Sequence, residues 1–482
     1  MLPYSCFLFS VGFLFSVGFA IQQRRGGLPS LLGVQGLDDD GVTSYAYGLP
    51  DSFATLHARY SAQASLFTPG LRRYNFFWAS LESSLPPSSS PLACPPTHLP
   101  FPANESERLA LGFNKFHCYS SEVIARFDAI LALDASIGAA SAFIMYGSPD
   151  FAADKNCTGF PWPPQPNFRL GCLPWSALDS YYDYVLFVLQ RWRAPWGSGR
   201  ARLSALCIWN EVQSLGWSDP SPILPNRQPS GGGQAIFTPA QLALYASMIA
   251  NLTTLAGRAA LAASPADPAF MFLSTDHFMQ APQVAAGGVG HLGLAQLVDA
   301  MWPALWAASQ AGQLNWGLAV HPYDGGDPRE DLWDKGIYTF ATLSRVSAYQ
   351  CDKLVQAGVP RGDCPSRAET QLWASEQGWP TGPHMNKTLQ GRNICLAHSL
   401  ALAQGLWAVS HNLFQAVTPS NQGGGGDFSL LDEPPLVDLR LDNGRGRDTF
   451  DAYAATAPSV FGKDDSNYCC AKWLTGCKSS EA

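Results

Sequence analysis

Apolar runs with the two-residue period of β-strands alternate along this chain with apolar residues at helical spacing. The alternation predicts a parallel α/β fold, because neighbouring parallel strands are joined by crossover helices. We identify eight strand-like runs, at residues 32–35, 74–79, 139–146, 205–209, 269–275, 316–321, 370–375 and 413–417. Eight strands predict a single (β/α)8 TIM barrel over residues 30–430, without a second globular domain.

Two of the intervening helices have recognisable starts. Ser176 and Asp179 are spaced as in a capping box, ahead of apolar residues at helical spacing. Thr238 precedes Pro239 and Gln241, which combines an N-cap, a proline at the first helical position and a glutamine at the third. Both patterns predict that a helix begins there.

Segments rich in Pro, Ser and Gly predict long loops at residues 85–100, 218–233 and 423–426. The loops that follow the strands of a barrel form its active-site face, so we expect most of these segments to surround a site. Residues 431–482 are expected to form a loop-rich extension that contains Cys469, Cys470 and Cys477 and packs on the barrel.

Composition narrows the classes of function. The net charge is -8 and no basic stripe is present, which argues against a nucleic-acid partner. Hydrophobic residues make up 46% of the 482 residues, so a large core can be buried. The 15 Trp and 16 Tyr offer flat apolar faces on which sugar rings can stack, although such rings also fill cores.

The N-terminal segment predicts a secretory signal. Residues 7–20 are apolar, and Gly18 and Ala20 offer a cleavage site, so residues 1–20 are interpreted as a signal peptide. No Lys or Arg precedes the apolar run, which leaves a retained N-terminal membrane anchor as the alternative. A membrane contact is expected only in that case, and we otherwise expect a secreted monomer.

Cysteine usage favours the same compartment. The 12 Cys are too many for a reducing cytosol, and their spacing matches no zinc site. Disulfides between Cys157 and Cys172 and between Cys351 and Cys364 would close short loops, although pairing cannot be deduced from sequence alone. Four sequons agree with passage through the secretory route, at Asn104, Asn156, Asn251 and Asn386.

Two glutamates follow apolar strands, and each lies beside tryptophan. Glu211 lies two residues after Trp209, at the end of the fourth predicted strand, and Glu376 lies at the end of the seventh. A carboxylate at the carboxyl end of a barrel strand points into the site. The strand period would place Leu372, Ala374 and Glu376 on one face. Hydrolysis of a glycosidic bond needs two such carboxylates, one protonated and one ionised.

These residues carry a resemblance to known enzymes. With Asn210-Glu211 after the fourth strand, Glu376 after the seventh and His321-Pro322-Tyr323 after the sixth, the sequence resembles the clan A glycoside hydrolases, which are TIM-barrel enzymes. A largely uncharacterised, mostly bacterial family of that clan is similar in three segments: Trp209-Asn-Glu-Val, Trp316-Gly-Leu-Ala-Val-His-Pro-Tyr323 and Ser375-Glu-Gln-Gly378. The clan commonly has a Trp on strand eight, whereas this chain has His411-Asn-Leu-Phe-Gln415.

The resemblance implies a retaining mechanism in which Glu211 is the acid/base and Glu376 the nucleophile, with carboxyl groups about 5–5.5 Å apart. It also implies that Asn210 binds the sugar 2-hydroxyl and that Tyr323 donates a hydrogen bond to the nucleophile. Arg73, near the second strand, is expected to support the nucleophile, with a structural salt bridge as its alternative role.

Further residues are candidates for substrate binding. Four tryptophans are expected as stacking platforms unless they belong to the core: Trp78, Trp217, Trp333 and Trp379. Asp276 and Asp324 could bind hydroxyl groups, although aspartate in a loop is more often a turn residue. His277 and His321 sit at strand ends and are expected to line the cleft.

The leading hypothesis is therefore a retaining hydrolase of a polysaccharide or glycoconjugate, with a carbohydrate substrate and with neither cofactor nor metal. The alternative is a catalytically silent barrel that binds carbohydrate. The segment from Gly288 to Gly293 fits a dinucleotide fingerprint, but no strand directly precedes it and no acidic residue follows at the expected distance. We interpret it as a loop.

Overall fold

The structure of the protein is a computed structural model. It describes residues 31–35, 71–82, 85–91, 94–136, 140–157, 171–193, 203–214, 218, 223, 237–280, 292–323, 326–379 and 387–411. The predicted signal peptide at 1–20 and the C-terminal extension at 431–482 lie outside these residues, as do Trp217 and Asp324.

Strands alternate with helices through the described part of the chain. The strands are β1 (Leu31–Gln35), β2 (Leu71–Phe77), β3 (His98–Phe101), β4 (His117–Ser120), β5 (Ala140–Tyr146), β6 (Leu203–Ile208), β7 (Phe270–Thr275), β8 (Trp316–Val320), β9 (Leu372–Gln377) and β10 (Ala408–His411). The α-helices are α1 (Trp78–Leu81), α2 (Glu105–Leu111), α3 (Ser121–Ser136), α4 (Leu178–Trp192), α5 (Pro239–Ala263), α6 (Leu294–Gln310), α7 (Leu343–Gln356) and α8 (Lys387–Ala403). Short 3-10 helices span Trp333–Lys335, Phe340–Thr342, Arg361–Ser366 and Ala368–Thr370.

Eight parallel strands close into a barrel, in the order β1, β2, β5, β6, β7, β8, β9, β10 and back to β1. The predicted (β/α)8 architecture is therefore confirmed. Because β6 and β9 are the fourth and seventh strands of the barrel, the predicted positions of the two glutamates along it are confirmed as well.

Two strand predictions need correction. The second strand begins at Leu71, not at residue 74, because Arg72 and Arg73 are buried within it even though they are charged. Their charges are paired, Arg72 with Asp134 and Arg73 with Glu376. The eighth strand is β10, which precedes the predicted run at 413–417; that run lies outside the described residues.

The two predicted helix starts differ in outcome. The side chain of Thr238 accepts a hydrogen bond from the backbone N–H of Gln241, and that of Gln241 accepts one from Thr238, so this capping box is confirmed. The prediction of a capping box at Ser176 is wrong, because α4 begins at Leu178 with Ala177 at its N-cap, and no side chain caps it.

Aromatic side chains pack on both surfaces of the barrel wall. On the outside, Phe76 contacts Phe127 of α3 at 4.6 Å and Trp192 of α4 at 5.3 Å between ring centroids. Inside, Phe272 of β7 meets Trp373 of β9 at 5.4 Å, although β8 separates these strands. Side chains of non-neighbouring strands can meet in this way only within the barrel. Gly317 of β8 leaves room for this contact, because a Cβ there would lie 3.2 Å from Phe272.

The chain between β2 and α3 forms an antiparallel pair, β3 with β4, which the sequence pattern did not predict. A disulfide between Cys94 and Cys118 secures it. His117 of β4 belongs to a group of three buried ionisable residues that we name the buried histidine cluster: Glu82, His117 and Asp183. The Nδ1 of His117 contacts Glu82, and its Nε2 lies 3.0 Å from Asp183.

The predicted short disulfide loops, Cys157–Cys172 and Cys351–Cys364, are confirmed. Disulfides persist in oxidising compartments, so these bonds are compatible with an extracellular protein. Cys207 is a free, buried cysteine of β6. Among the described residues, no helix combines the length and the apolar character that crossing a membrane requires.

Candidate active site

The ends of three barrel strands, together with a residue from within a fourth, bring the predicted residues together at one end of the barrel. Glu211 follows β6, His321 and Tyr323 follow β8, and Glu376 lies in β9. Arg73 reaches the same point from β2 across the interior. The parallel arrangement places all carboxyl ends of the strands on one face, which is the face that carries active sites in such barrels.

A single imidazole contacts both glutamates. The Nδ1 atom of His321 lies 2.8 Å from Oε1 of Glu211, and its Nε2 atom lies 3.7 Å from Oε2 of Glu376. The ring of His321 is fully buried, while the two carboxylate side chains remain 17% and 18% exposed. Both carboxylates therefore face one cleft, although they are far apart in sequence.

Glu376 is held by donors on both oxygens. Arg73 donates from Nη2 to Oε2 at 2.9 Å, and Tyr323 donates its hydroxyl to Oε1 at 2.7 Å. Burial alone would raise the pKa of Glu376, but the charges of His321 and Arg73 and these hydrogen bonds outweigh it. The net effect lowers the pKa of Glu376, so this carboxylate is ionised.

Glu211 experiences the opposite balance. Burial raises its pKa, and the nearby negative charges of Asp276 and Glu376 add to the effect. The hydrogen bond and the charge of His321 lower the pKa, but the sum remains a raised pKa. Two carboxyl groups of one cleft are therefore biased towards different protonation states, as acid/base chemistry requires.

The backbone before Glu211 is strained. Trp209 and Glu211 have φ values of 59° and 41°, a region that side chains other than glycine rarely occupy. Such strain persists only where surrounding contacts impose it, and it is concentrated at functional sites. The N–H of Trp209 donates to the carbonyl of Met145 at 3.0 Å, and that of Glu211 donates to Oγ of Ser274 at 3.0 Å.

A β-bulge places Glu376. Along β9, Ala374 pairs with Val409 and Gln377 pairs with His411, so β9 has one more residue than β10 over this stretch. The extra residue lies between Ala374 and Gln377 and interrupts the two-residue alternation there. Trp373, not Ala374, faces the barrel interior, where it contacts Phe272. The prediction that Leu372, Ala374 and Glu376 share one face by regular alternation is therefore wrong.

Asn210 and Asp276 lie beside the glutamates in the fold. Asn210 is 6% exposed, and its buried Oδ1 atom has no hydrogen-bond partner in the described part of the chain. Asp276 is buried at the end of β7, where it forms an ion pair with Nδ1 of His277 at 2.9 Å. Tyr338 donates its hydroxyl to the backbone carbonyl of Asp276, which fixes this strand end.

The predicted stacking platforms are largely wrong. Trp78 is 0% exposed and donates its indole N–H to Glu82, and Trp379 is 1% exposed, so neither ring presents a face to a sugar. Trp333 is partly exposed, but the guanidinium of Arg345 lies 5.6 Å above its ring. An apolar ring beside a strand end fits a core as well as a cleft, and sequence does not distinguish them.

Sequence reasoning also missed Ser274. Its hydroxyl contacts the backbone of Glu211 and lies 3.4 Å from Nε2 of His321. The available signal was the alternation in β7, where Phe272, Ser274 and Asp276 share a face that runs into the site. No group of three His, Cys, Asp or Glu residues in the described ranges could hold a metal ion.

Comparison with solved structures shows the fold. The GH39 enzyme from Xanthomonas axonopodis pv. citri aligns with a TM-score of 0.50 at 13% identity, over 89% of this chain and 67% of that one. The chain has the barrel fold of the glycoside hydrolases that it resembles. No protein-family model matches the sequence, and no curated protein sequence does so either.

Two further barrels align with lower scores. An exo-β-1,4-mannosidase from Opitutaceae bacterium strain TAV5 has a TM-score of 0.46 at 13% identity, over 92% of this chain. This chain spans 60% of that enzyme's length. A GH5-4 broad specificity endoglucanase from Clostridium acetobutylicum has a TM-score of 0.48 at 11% identity, over 90% of this chain and 98% of that one.

Proposed function

We propose that the protein is a retaining glycoside hydrolase that cleaves O-glycosidic bonds of a polysaccharide or glycoconjugate. Glu211 acts as the acid/base and Glu376 as the nucleophile. The observation that carries the proposal is the pair of carboxylates that share His321 while their pKa values are shifted in opposite directions. Environments that separate two carboxyl groups in this way assign the acid and the nucleophile.

The proposed reaction has two steps. Glu376 attacks the anomeric carbon while Glu211 gives its proton to the departing glycosidic oxygen, which forms a glycosyl-enzyme ester. Glu211, now ionised, then takes a proton from water, and the water oxygen displaces Glu376 from the anomeric carbon. Arg73 and Tyr323 keep Glu376 ionised for attack, and Oδ1 of Asn210, which has no hydrogen-bond partner among the described residues, is available to a substrate hydroxyl.

The proposed chemistry predicts a bell-shaped pH profile for kcat/KM. On the acid side, activity falls as Glu376 becomes protonated, and because its pKa is lowered this occurs below the ordinary glutamate pKa of 4.5. On the alkaline side, activity falls as Glu211 loses its proton, and because its pKa is raised this occurs above 4.5. The two carboxyl groups interact, so each limb reports the pair as a whole.

The test is covalent labelling. A screen of aryl glycosides and polysaccharides first identifies a responsive sugar, and the matching 2-fluoro glycoside is then incubated with the protein. We expect mass spectrometry to find the sugar on the peptide that contains Glu376 and to find none in Glu376→Gln. Glu369→Gln is the matched control, because Glu369 is buried near the opposite end of the same strand and pairs with Arg367.

The competing function is a barrel that binds carbohydrate without cleaving it. Binding of a responsive sugar by the wild type without turnover or labelling would favour that function. We further propose that residues 1–20 are removed as a signal peptide and that the chain is secreted as a monomer. Sequencing of the mature N-terminus, expected near Ile21, and light scattering test these two points; an intact apolar run would instead indicate the membrane anchor.

A further inference from the structure

We infer that Ser274 is a positioning residue for the acid/base, which holds the strained turn at Glu211 so that its carboxyl group meets the leaving oxygen. This inference rests on the proposed function. Ser274 is the second-last residue of the neighbouring strand β7 and is fully buried.

Two atoms of Ser274 hold two consecutive residues of the turn. Its Oγ accepts the backbone N–H of Glu211 at 3.0 Å, and its carbonyl oxygen accepts that of Val212 at 3.1 Å. The turn needs such contacts, because Trp209 and Glu211 both have positive φ values. Without the hydroxyl, the N–H of Glu211 loses the side-chain acceptor that secures its conformation.

The same hydroxyl reaches the imidazole that joins the carboxylates. Oγ of Ser274 lies 3.4 Å from Nε2 of His321, whose Nδ1 contacts Oε1 of Glu211 at 2.8 Å. Ser274 therefore fixes Glu211 from two directions, through its backbone and through the ring that its side chain contacts. Nε2 of His321 also lies 3.7 Å from Glu376. That carboxylate has two donors of its own, Arg73 and Tyr323, and its backbone makes no hydrogen bond to Ser274 in the described part of the chain. Glu376 therefore depends less on Ser274 than Glu211 does.

This difference gives a specific test in Ser274→Ala. The substrates are a phenyl glycoside and a 2,4-dinitrophenyl glycoside of the sugar that the wild type hydrolyses. Phenolate needs a proton to leave, whereas dinitrophenolate leaves without one, so only the first depends on a well-placed Glu211. We expect kcat/KM to fall about 100-fold for the phenyl glycoside and less than about threefold for the other.

Ser410→Ala is the matched control, because Ser410 is also fully buried at the end of a barrel strand but accepts its hydrogen bond from Trp373. We expect it to leave the ratio between the two substrates unchanged. If Ser274→Ala does not fold, Ser274→Cys replaces it, since sulfur is a weak acceptor of similar size. Equal losses on both substrates, or no loss, would overturn the inference, whereas a wild type inactive on every glycoside would overturn the proposed function instead.

Discussion

Two histidines of this protein each lie between two carboxylates, yet their surroundings differ. His321 contacts Glu211 and Glu376, whose side chains are 17% and 18% exposed, whereas His117 contacts Glu82 and Asp183, which are 1% and 0% exposed. The residue types are almost the same in both places. Access to solvent is what makes the first arrangement a candidate for chemistry and the second a part of the core.

The hydrogen bonds differ as much as the exposure. In the buried histidine cluster, Asp183 also accepts the backbone N–H groups of Asn114 and Lys115, and Glu82 accepts the indole N–H of Trp78. These contacts occupy the carboxylates and join β4, α4 and the segment after β2. A buried charge network with satisfied partners rigidifies a fold, and removal of one partner leaves an uncompensated charge.

The largest expected effect separates the two arrangements by activity. Glu376→Gln should lower kcat by about 10⁴-fold or more, because the nucleophile is lost. Glu82→Gln makes the same substitution in the buried cluster, and its folded fraction should keep kcat within about threefold of the wild type. Steady-state kinetics on a responsive glycoside and thermal unfolding measure both. A Glu376→Gln enzyme with wild-type kcat would reject the assignment of roles.

The second prediction distinguishes the buried histidine cluster from the active site by its contribution to the free energy of unfolding. His117→Ala should lower the free energy of unfolding by about 3–5 kcal/mol, because Glu82 and Asp183 would remain buried without their shared cation. His98→Ala, on the same antiparallel strand pair but partly exposed, should change it by less than about 0.5 kcal/mol. Urea unfolding followed by tryptophan fluorescence measures the difference. Equal values for the two variants would contradict the importance of the cluster.

The buried cluster also predicts a loss of stability in alkali. Burial alone would lower the pKa of His117, but the charges and hydrogen bonds of Glu82 and Asp183 raise it from 6.5 to about 9. A raised pKa in a histidine stabilises the fold fully below pH 6.5, and the contribution is lost as the pH rises through about 9. The shift corresponds to about 3 kcal/mol. Unfolding curves between pH 6 and 10 should show this loss in the wild type and a smaller one in His117→Ala; parallel curves would disprove it.

The smallest effect concerns a single hydrogen bond in the cleft. Tyr323→Phe removes the donor to Oε1 of Glu376 and should lower kcat/KM by about tenfold. The pKa of Glu376 should rise, so the acid limb of the pH profile should move to higher pH. The pH dependence of kcat/KM measures both changes. An unmoved acid limb would mean that Tyr323 does not help to keep Glu376 ionised.

The sequence by itself determined the barrel, the order of its strands and the placement of Glu211 and Glu376 after the fourth and seventh. These features follow from the periodicity of apolar residues, which is local and can be read within one segment. Two short disulfide loops were accessible for the same reason, because their cysteines are close in the chain.

Only the tertiary structure decided which side chains surround the two glutamates. It places His321 between the two glutamates, buries Trp78 and Trp379, and interrupts the two-residue alternation of β9. It brings the hydroxyl of Ser274 into hydrogen-bond contact with the backbone of Glu211. It also distinguished His117 from His321. Each of these outcomes depends on contacts between segments that barrel closure brings together, and the period of a single strand contains no information about which distant residue will lie opposite it.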